Sequence, residues 1–87
     1  MDVEFDSPED LDRFVSEVRK ELDAGGFGAA ASRLATVQRT AFTTGSEWLG
    51  ELGAAVKAIR AERGLPNSLR QKLEAIRAHV RRVWPAL

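Results

Sequence analysis

Apolar residues recur every three or four positions in four segments of the chain, and Gly, Pro or Thr residues interrupt the spacing between segments. This spacing places the apolar side chains on one face of an α-helix. Short connections make successive helices antiparallel neighbours. The sequence therefore predicts an all-α fold, a compact bundle of four antiparallel helices in a single domain of residues 1–87. The predicted helices lie near residues 8–24, 27–41, 45–63 and 67–84, and residues 1–6 are irregular.

The fourth segment carries an apolar seam with heptad spacing. Its members are separated by four, three, four, three and four positions: Leu69, Leu73, Ile76, Val80, Val83 and Leu87. The seam spans about two and a half repeats, which is too short for a free coiled coil. It therefore belongs to the bundle core or forms a ridge for a partner helix. A three-helix core with an exchanged or detached C-terminal helix is the alternative fold. The candidate partner-binding residues are Arg70, Leu73, Arg77, Val80, Arg81 and Trp84.

Four residues are predicted to have structural roles at helix ends. Ser7 precedes a proline and two acidic residues, which is typical of a helix start. Thr44 and Glu47 have the spacing of a capping box, in which each side chain accepts a hydrogen bond from the backbone N–H of the other residue. Gly64 is expected just after the third helix, because glycine readily adopts the left-handed conformation found there.

The stretch FTTGSEWLGELG, residues 42–53, has two alternative interpretations. A helix N-terminus with Thr, Gly and Ser around it can bind a phosphate. However, Glu47 already places a negative charge there, and the chain has no P-loop motif. We therefore predict a helix cap. The next two glycines, Gly50 and Gly53, predict a close crossing with the alanine-rich second helix, or else room for a ligand or a partner helix.

The net charge is zero, but the charges are unevenly distributed. Residues 1–26 carry nine acidic and three basic side chains, whereas residues 66–87 carry one acidic and five basic side chains. The acidic first helix and the basic fourth helix can pair within one chain, between two copies or with other partners. Pairing between two copies suits a two-fold arrangement, so a homodimer is a possible outcome.

The sequence lacks residues that several functional classes of protein require. The chain has no cysteine and one histidine, His79, whose neighbours in the sequence are basic. We therefore predict no metal site, no cofactor and no enzymatic activity. No apolar run is long enough to span a membrane, and the acidic first residues lack the apolar region of a signal peptide. We expect a cytoplasmic protein without membrane contact.

Residues 52–66, LGAAVKAIRAERGLP, look like the first helix and turn of a Cro/repressor-type helix-turn-helix. That resemblance implies nucleic-acid binding by the following helix. The following sequence departs from the family, because residues 69–83 run on as one helix without a separate recognition helix. We therefore predict a non-enzymatic protein-interaction module that binds a protein partner or itself through an apolar helical face. The alternative is a nucleic-acid-binding regulator that uses the basic C-terminal helix.

Overall fold

The computed structural model describes residues 5–40, 42 and 44–86. The helices are α1 Pro8–Ala24, α2 Gly28–Arg39, α3 Gly45–Arg60 and α4 Asn67–Val80. Each helix packs against the next one in the chain, and α4 also packs against α1. The predicted all-α four-helix bundle is confirmed, and α4 belongs to the bundle of its own chain.

Contacts between α1 and α4 show that these helices run in opposite directions. Glu21, near the end of α1, pairs with Lys72, near the start of α4. Phe5, just before α1, packs edge-on against His79, near the end of α4, with 5.2 Å between ring centroids. We call the end of the bundle where α1 and α3 begin the aromatic end. The opposite end, where α1 and α3 terminate, is the turn end.

The core runs along the centre of the ring of helices. All four helices contribute large side chains with less than 2% exposure: Leu11, Val15, Val18, Leu22, Leu34, Leu52, Val56, Ile59, Leu73, Ile76 and Val80. Burial of one such side chain stabilises the fold by about 1.5–3 kcal/mol. The helical spacing of the sequence therefore identifies these buried residues in every helix. It is wrong for Val83, the fifth residue of the predicted seam, which follows the end of α4 and is 47% exposed.

Side-chain caps fix the starts of α1 and α3 at the predicted residues. The hydroxyl of Ser7 accepts a hydrogen bond from the N–H of Asp10 at 3.2 Å. The hydroxyl of Thr44 accepts one from the N–H of Glu47, also at 3.2 Å. The reciprocal bond, from the backbone N–H of Thr44 to the Glu47 carboxylate, is not among the hydrogen bonds of the described residues. The capping box is thus half formed, and the Glu47 side chain is exposed.

The third helix is shorter than predicted, ending at Arg60 rather than residue 63. The next two backbone N–H groups bond to carbonyls only three residues back, at 3.2 and 2.9 Å. This tighter turn ends the α-helical hydrogen-bonding pattern. Gly64 therefore does not directly follow the helix, but its φ of +80° gives the turn the left-handed conformation expected of this glycine.

The second and fourth helices also end before their predicted limits. Thr40, with φ −76° and ψ 132°, leaves the helical conformation directly after α2. After α4, residues 81–83 form turns, and the N–H of Trp84 donates to the carbonyl of Val80 at 2.9 Å. Parts of three predictions lie outside the described residues: Ala41 of the second helix, Met1–Glu4 of the irregular segment and Leu87 of the seam.

Candidate functional site

Aromatic side chains gather at one end of the bundle. Five of the six aromatic residues in the chain lie at the aromatic end or contact a residue there: Phe5, Phe14, Phe42, Trp48 and Trp84. The first four are partly buried, and Trp84 is 42% exposed. Apolar surface that is not fully buried in the core is therefore concentrated at this end of the bundle.

A half-open apolar cavity of about 250 Å³ lies beside Trp48. Its walls come from the segment before α1 and from α1, α3 and α4: Phe5, Asp6, Ser7, Pro8, Leu11, Gly45, Trp48, Leu49 and His79. Burial, followed by the positive charge of Arg82, lowers the pKa of His79 from 6.5. The imidazole is therefore mainly neutral at neutral pH, which keeps that wall of the cavity uncharged.

Trp48 also lines a second, more open groove of about 620 Å³ along α1. The groove is formed by Pro8, Glu9, Asp12, Arg13, Ser16 and Trp48. Arg13 forms an ion pair with Asp10 at 3.8 Å, so its charge is already partly compensated. The carboxylates of Glu9 and Asp12 are exposed beside the indole. We call this surface the α1 groove.

Trp84 packs onto the first turns of α3. Its indole N–H donates to the carbonyl of Ser46 at 2.7 Å. A Cβ added at Gly50 would lie 3.3 Å from the indole nitrogen, so the glycine lets the ring approach the helix backbone closely. The predicted crossing of α2 at Gly50 is therefore wrong, because Trp84 covers this glycine. Gly53 is buried within α3.

A third cavity, of about 420 Å³, adjoins Trp84. It is lined by Phe42, Glu47, Gly50, Glu51, Trp84 and Ala86. Across the three cavities, the exposed acidic residues are Asp6, Glu9, Asp12, Glu47 and Glu51. Among the described residues lining them, the basic side chains are Arg13 and His79. The apolar surface is thus bordered mainly by negative charge.

Two of the predicted partner-binding residues belong to the core. Leu73 and Val80 are both 0% exposed. The part of the seam within α4, from Leu69 to Val80, faces the neighbouring helices of its own chain, because α4 packs against both α1 and α3. Both residues are therefore removed from the candidate binding surface.

Two predicted arginines are held by contacts within the chain. The guanidinium of Arg70 donates to the carbonyls of Arg60 and Glu62 at 3.3 and 3.2 Å. Arg70 thus satisfies carbonyls at the end of α3 that have no partner within the helix. Arg77 pairs with Glu74 at 3.3 Å, and the same carboxylate pairs with Arg60 at 2.9 Å.

The remaining predicted residues, Arg81 and Trp84, are exposed. The Arg81 guanidinium donates to the carbonyl of Pro85 at 3.3 Å. Arg82 and Val83, which lie between them, are exposed as well, and Val83 has 47% of its surface accessible. We call residues 81–84 the RRVW segment. It contains Arg81 and Trp84, the two predicted partner-binding residues that are exposed.

The helical spacing of Trp48 and Leu49 with Leu52, Val56 and Ile59 predicts that both lie on the core face of α3, but the structure places Trp48 beside two cavities and Leu49 beside one. Both are only partly buried, because they lie in the first turns of the helix, near the edge of the core. A tryptophan four residues after a helix cap is a usable signal for such a position, since a helix end is covered on fewer sides than its middle.

The comparisons add no functional assignment to this geometry. Protein-family models, curated proteins and solved structures give no match for the chain. In the described part of the chain, no group of three or more His, Asp or Glu side chains is placed to hold a metal ion. None of the four helices is both long and apolar enough to cross a bilayer, as judged from the residues described.

Proposed function

We propose that the chain is a non-enzymatic protein-interaction module whose contact surface is the aromatic end. The observation that carries the proposal is the placement of Trp48 beside two cavities, with its indole partly exposed. Tryptophan is enriched among the residues that dominate binding energy at protein interfaces. The smaller cavity beside Trp48 has mainly apolar walls that suit a large apolar side chain of a partner, and the α1 groove adds charged residues beside the same side chain.

The charges around the cavities indicate the chemistry of the partner. Exposed carboxylates such as Glu9, Asp12 and Glu51 border the apolar surface. Complementary charge increases association rates and excludes wrong partners. The proposed partner is therefore a protein segment that presents an apolar anchor with Lys or Arg residues beside it. We propose no catalytic activity for the chain, and we propose a cytoplasmic location, which the cysteine-free sequence predicts.

The same geometry gives less support to the nucleic-acid alternative. Lys72 pairs with Glu21, Arg77 pairs with Glu74, and Arg70 binds backbone carbonyls of its own chain. The cavities are bordered by carboxylates, which repel phosphate groups. Phosphate contacts near the C-terminus would therefore rely mainly on the RRVW segment just after α4, which is a small basic surface for a nucleic-acid-binding protein.

The proposal is tested by affinity capture from a native cell lysate with tagged wild type, Trp48→Ala and Phe27→Ala. Phe27 is a partly buried aromatic residue at the turn end, so its variant is the matched control. We expect a protein partner that remains bound at about 0.5 M salt, where exposed charge pairs are screened. Trp48→Ala should lose it and Phe27→Ala should retain it.

Two results would contradict the proposal. One is capture of nucleic acid alone, released at the higher salt, which would favour the basic-helix alternative. The other is equal capture by Trp48→Ala and wild type, which would show that the partner binds elsewhere. Circular dichroism of each variant establishes that a lost interaction does not reflect a lost fold.

A further inference from the structure

The surface proposed above accepts a basic, apolar segment, and the chain itself exposes one. We propose that the α1 groove of one copy binds the RRVW segment of a second copy, and that the exchange is reciprocal and forms a two-fold dimer. This inference rests on the proposed function and names the partner of the same surface. It follows from the chemistry of the two surfaces, from their separation within one chain and from their location at one end of the bundle.

The RRVW segment presents two cations directly before two apolar side chains. Val83 and Trp84 are 47% and 42% exposed, and they are the exposed large hydrophobic residues of the described chain. The segment is held in place by backbone bonds from both residues to the carbonyl of Val80, at 3.0 and 2.9 Å. A segment that is already ordered loses less conformational entropy on binding.

The α1 groove has the complementary composition. Two exposed carboxylates, Glu9 and Asp12, lie beside the partly buried indole of Trp48. The basic residue of the groove, Arg13, is paired with Asp10. Two cations followed by apolar side chains thus meet two anions beside an aromatic ring, which is the charge and shape pattern of a specific contact.

Within one chain, the segment and the groove do not meet. The indole of Trp84 is bound to Ser46 and packed on Gly50, whereas the α1 groove is lined by residues of α1 and by Trp48. Among the ion pairs of the described residues, neither Arg81 nor Arg82 has a carboxylate partner. The Asp12 carboxylate accepts a hydrogen bond from the neutral Gln38 amide at 3.0 Å, and Arg81 donates to a backbone carbonyl, so neither contact neutralises the charge.

A two-fold arrangement uses both surfaces of both copies. In such an interface, each copy contributes the same patch, so one contact is made twice. The groove and the segment both lie at the aromatic end, because α1 begins there and α4 terminates there. Two copies that meet end to end can therefore exchange segments. The contact area is small for a stable dimer, so we expect a dissociation constant in the micromolar range.

Charge-swap variants test the proposal directly by analytical ultracentrifugation, at protein concentrations up to about 1 mM. One double variant, Arg81→Glu with Arg82→Glu, makes the charge of the RRVW segment negative. The other, Glu9→Lys with Asp12→Lys, replaces the two acidic side chains of the α1 groove with basic ones. We expect the wild type to dimerise and each double variant to weaken self-association by about tenfold or more. The matched control for the segment variant, Lys57→Glu with Arg63→Glu, makes the same change in net charge at exposed positions away from both surfaces and should dimerise like the wild type.

The decisive sample is an equimolar mixture of the two double variants. In this pair, each reversed surface faces an oppositely charged one, so heterodimers should form with an affinity close to that of the wild type. Circular dichroism confirms that each variant is folded. A mixture that stays monomeric, or double variants that dimerise as well as the wild type, would overturn the proposal.

Sedimentation and Trp48-dependent capture together distinguish a failed dimer from a failed interaction function. A wild-type chain that is monomeric at about 1 mM would overturn the dimer. If the same chain still captures another protein in a Trp48-dependent way, the interaction function stands with a different partner. Loss of Trp48-dependent capture together with a charge-swappable dimer would show that the surface serves self-association alone.

Discussion

The turn end and the aromatic end close the same core in different ways. At the turn end, Leu65 is buried to 6% exposure, and the Arg70 guanidinium donates to the carbonyl of Arg60, the last residue of α3, and to that of Glu62 just after it. At the aromatic end, Trp48 and Leu49 are only partly covered and cavities open beside them. The turn end satisfies backbone groups and covers apolar surface, whereas the aromatic end leaves apolar surface accessible. The difference separates residues that stabilise the fold from residues that remain available for binding.

The largest expected difference between the two ends concerns a matched pair of leucines. Leu65→Ala removes a buried side chain and should lower the free energy of unfolding by about 2–4 kcal/mol. Leu49→Ala removes a partly exposed side chain and should cost about 1 kcal/mol. Urea denaturation of both variants measures the difference. Equal losses would mean that the aromatic end contributes to stability as much as the turn end does.

A matched pair of arginines gives the next largest effect. Arg70→Ala leaves two carbonyls of the turn end without their donor and should destabilise the chain by about 1 kcal/mol. Arg81→Ala removes an exposed side chain at the other end and should change stability by less than about 0.5 kcal/mol. Both are measured by denaturation at a concentration low enough to keep the chain monomeric. A larger loss for Arg81 would give it a structural role that its exposure does not indicate.

Two glycines sharpen the comparison further. Gly64→Ala places a Cβ at φ +80° in the turn end and should cost about 1 kcal/mol. Gly50→Ala gains helix propensity but pushes against the indole of Trp84 at the aromatic end, so we expect a stability change within about 0.5 kcal/mol. Its main effect should be a shift of the Trp84 indole N–H resonance in an NMR spectrum, as the bond to Ser46 loosens. An unchanged resonance would show that the ring does not depend on this glycine.

The smallest effect concerns pH. The pKa of His79 is lowered by burial and by Arg82, so the unfolded chain binds a proton at a higher pH than the folded chain does. The free energy of unfolding should therefore decrease as the pH falls from about 7.5 to about 5.5. His79→Gln should show a shallower decrease in parallel denaturation experiments. Identical pH profiles for both proteins would exclude His79 as the source.

The sequence predicts the fold well where local rules decide the structure. The spacing of Leu69, Leu73, Ile76 and Val80 identifies a buried helix face, and the structure buries all four residues. The cap at Ser7 follows from its own local sequence, since its partner is three residues away. These features depend on helix geometry, which short stretches of sequence specify.

Contacts between distant residues are what the sequence does not predict. Trp84 and its acceptor Ser46 are 38 positions apart, and nothing in either local sequence relates them. Arg70 has the same charge as Arg81, yet its position beside the end of α3 makes it structural. Packing of the helices decides which basic and aromatic side chains remain accessible, so the candidate site is only partly predictable from the sequence.

The docking of Trp84 on α3 gives the chain a built-in optical reporter. The protein has two tryptophans and no tyrosine. Trp48 borders the α1 groove, and Trp84 lies in the RRVW segment with its N–H bound to a backbone carbonyl. The emission of an indole responds to the polarity of its surroundings. Intrinsic fluorescence can therefore follow association without a label, and single-tryptophan variants assign the signal to one surface or the other.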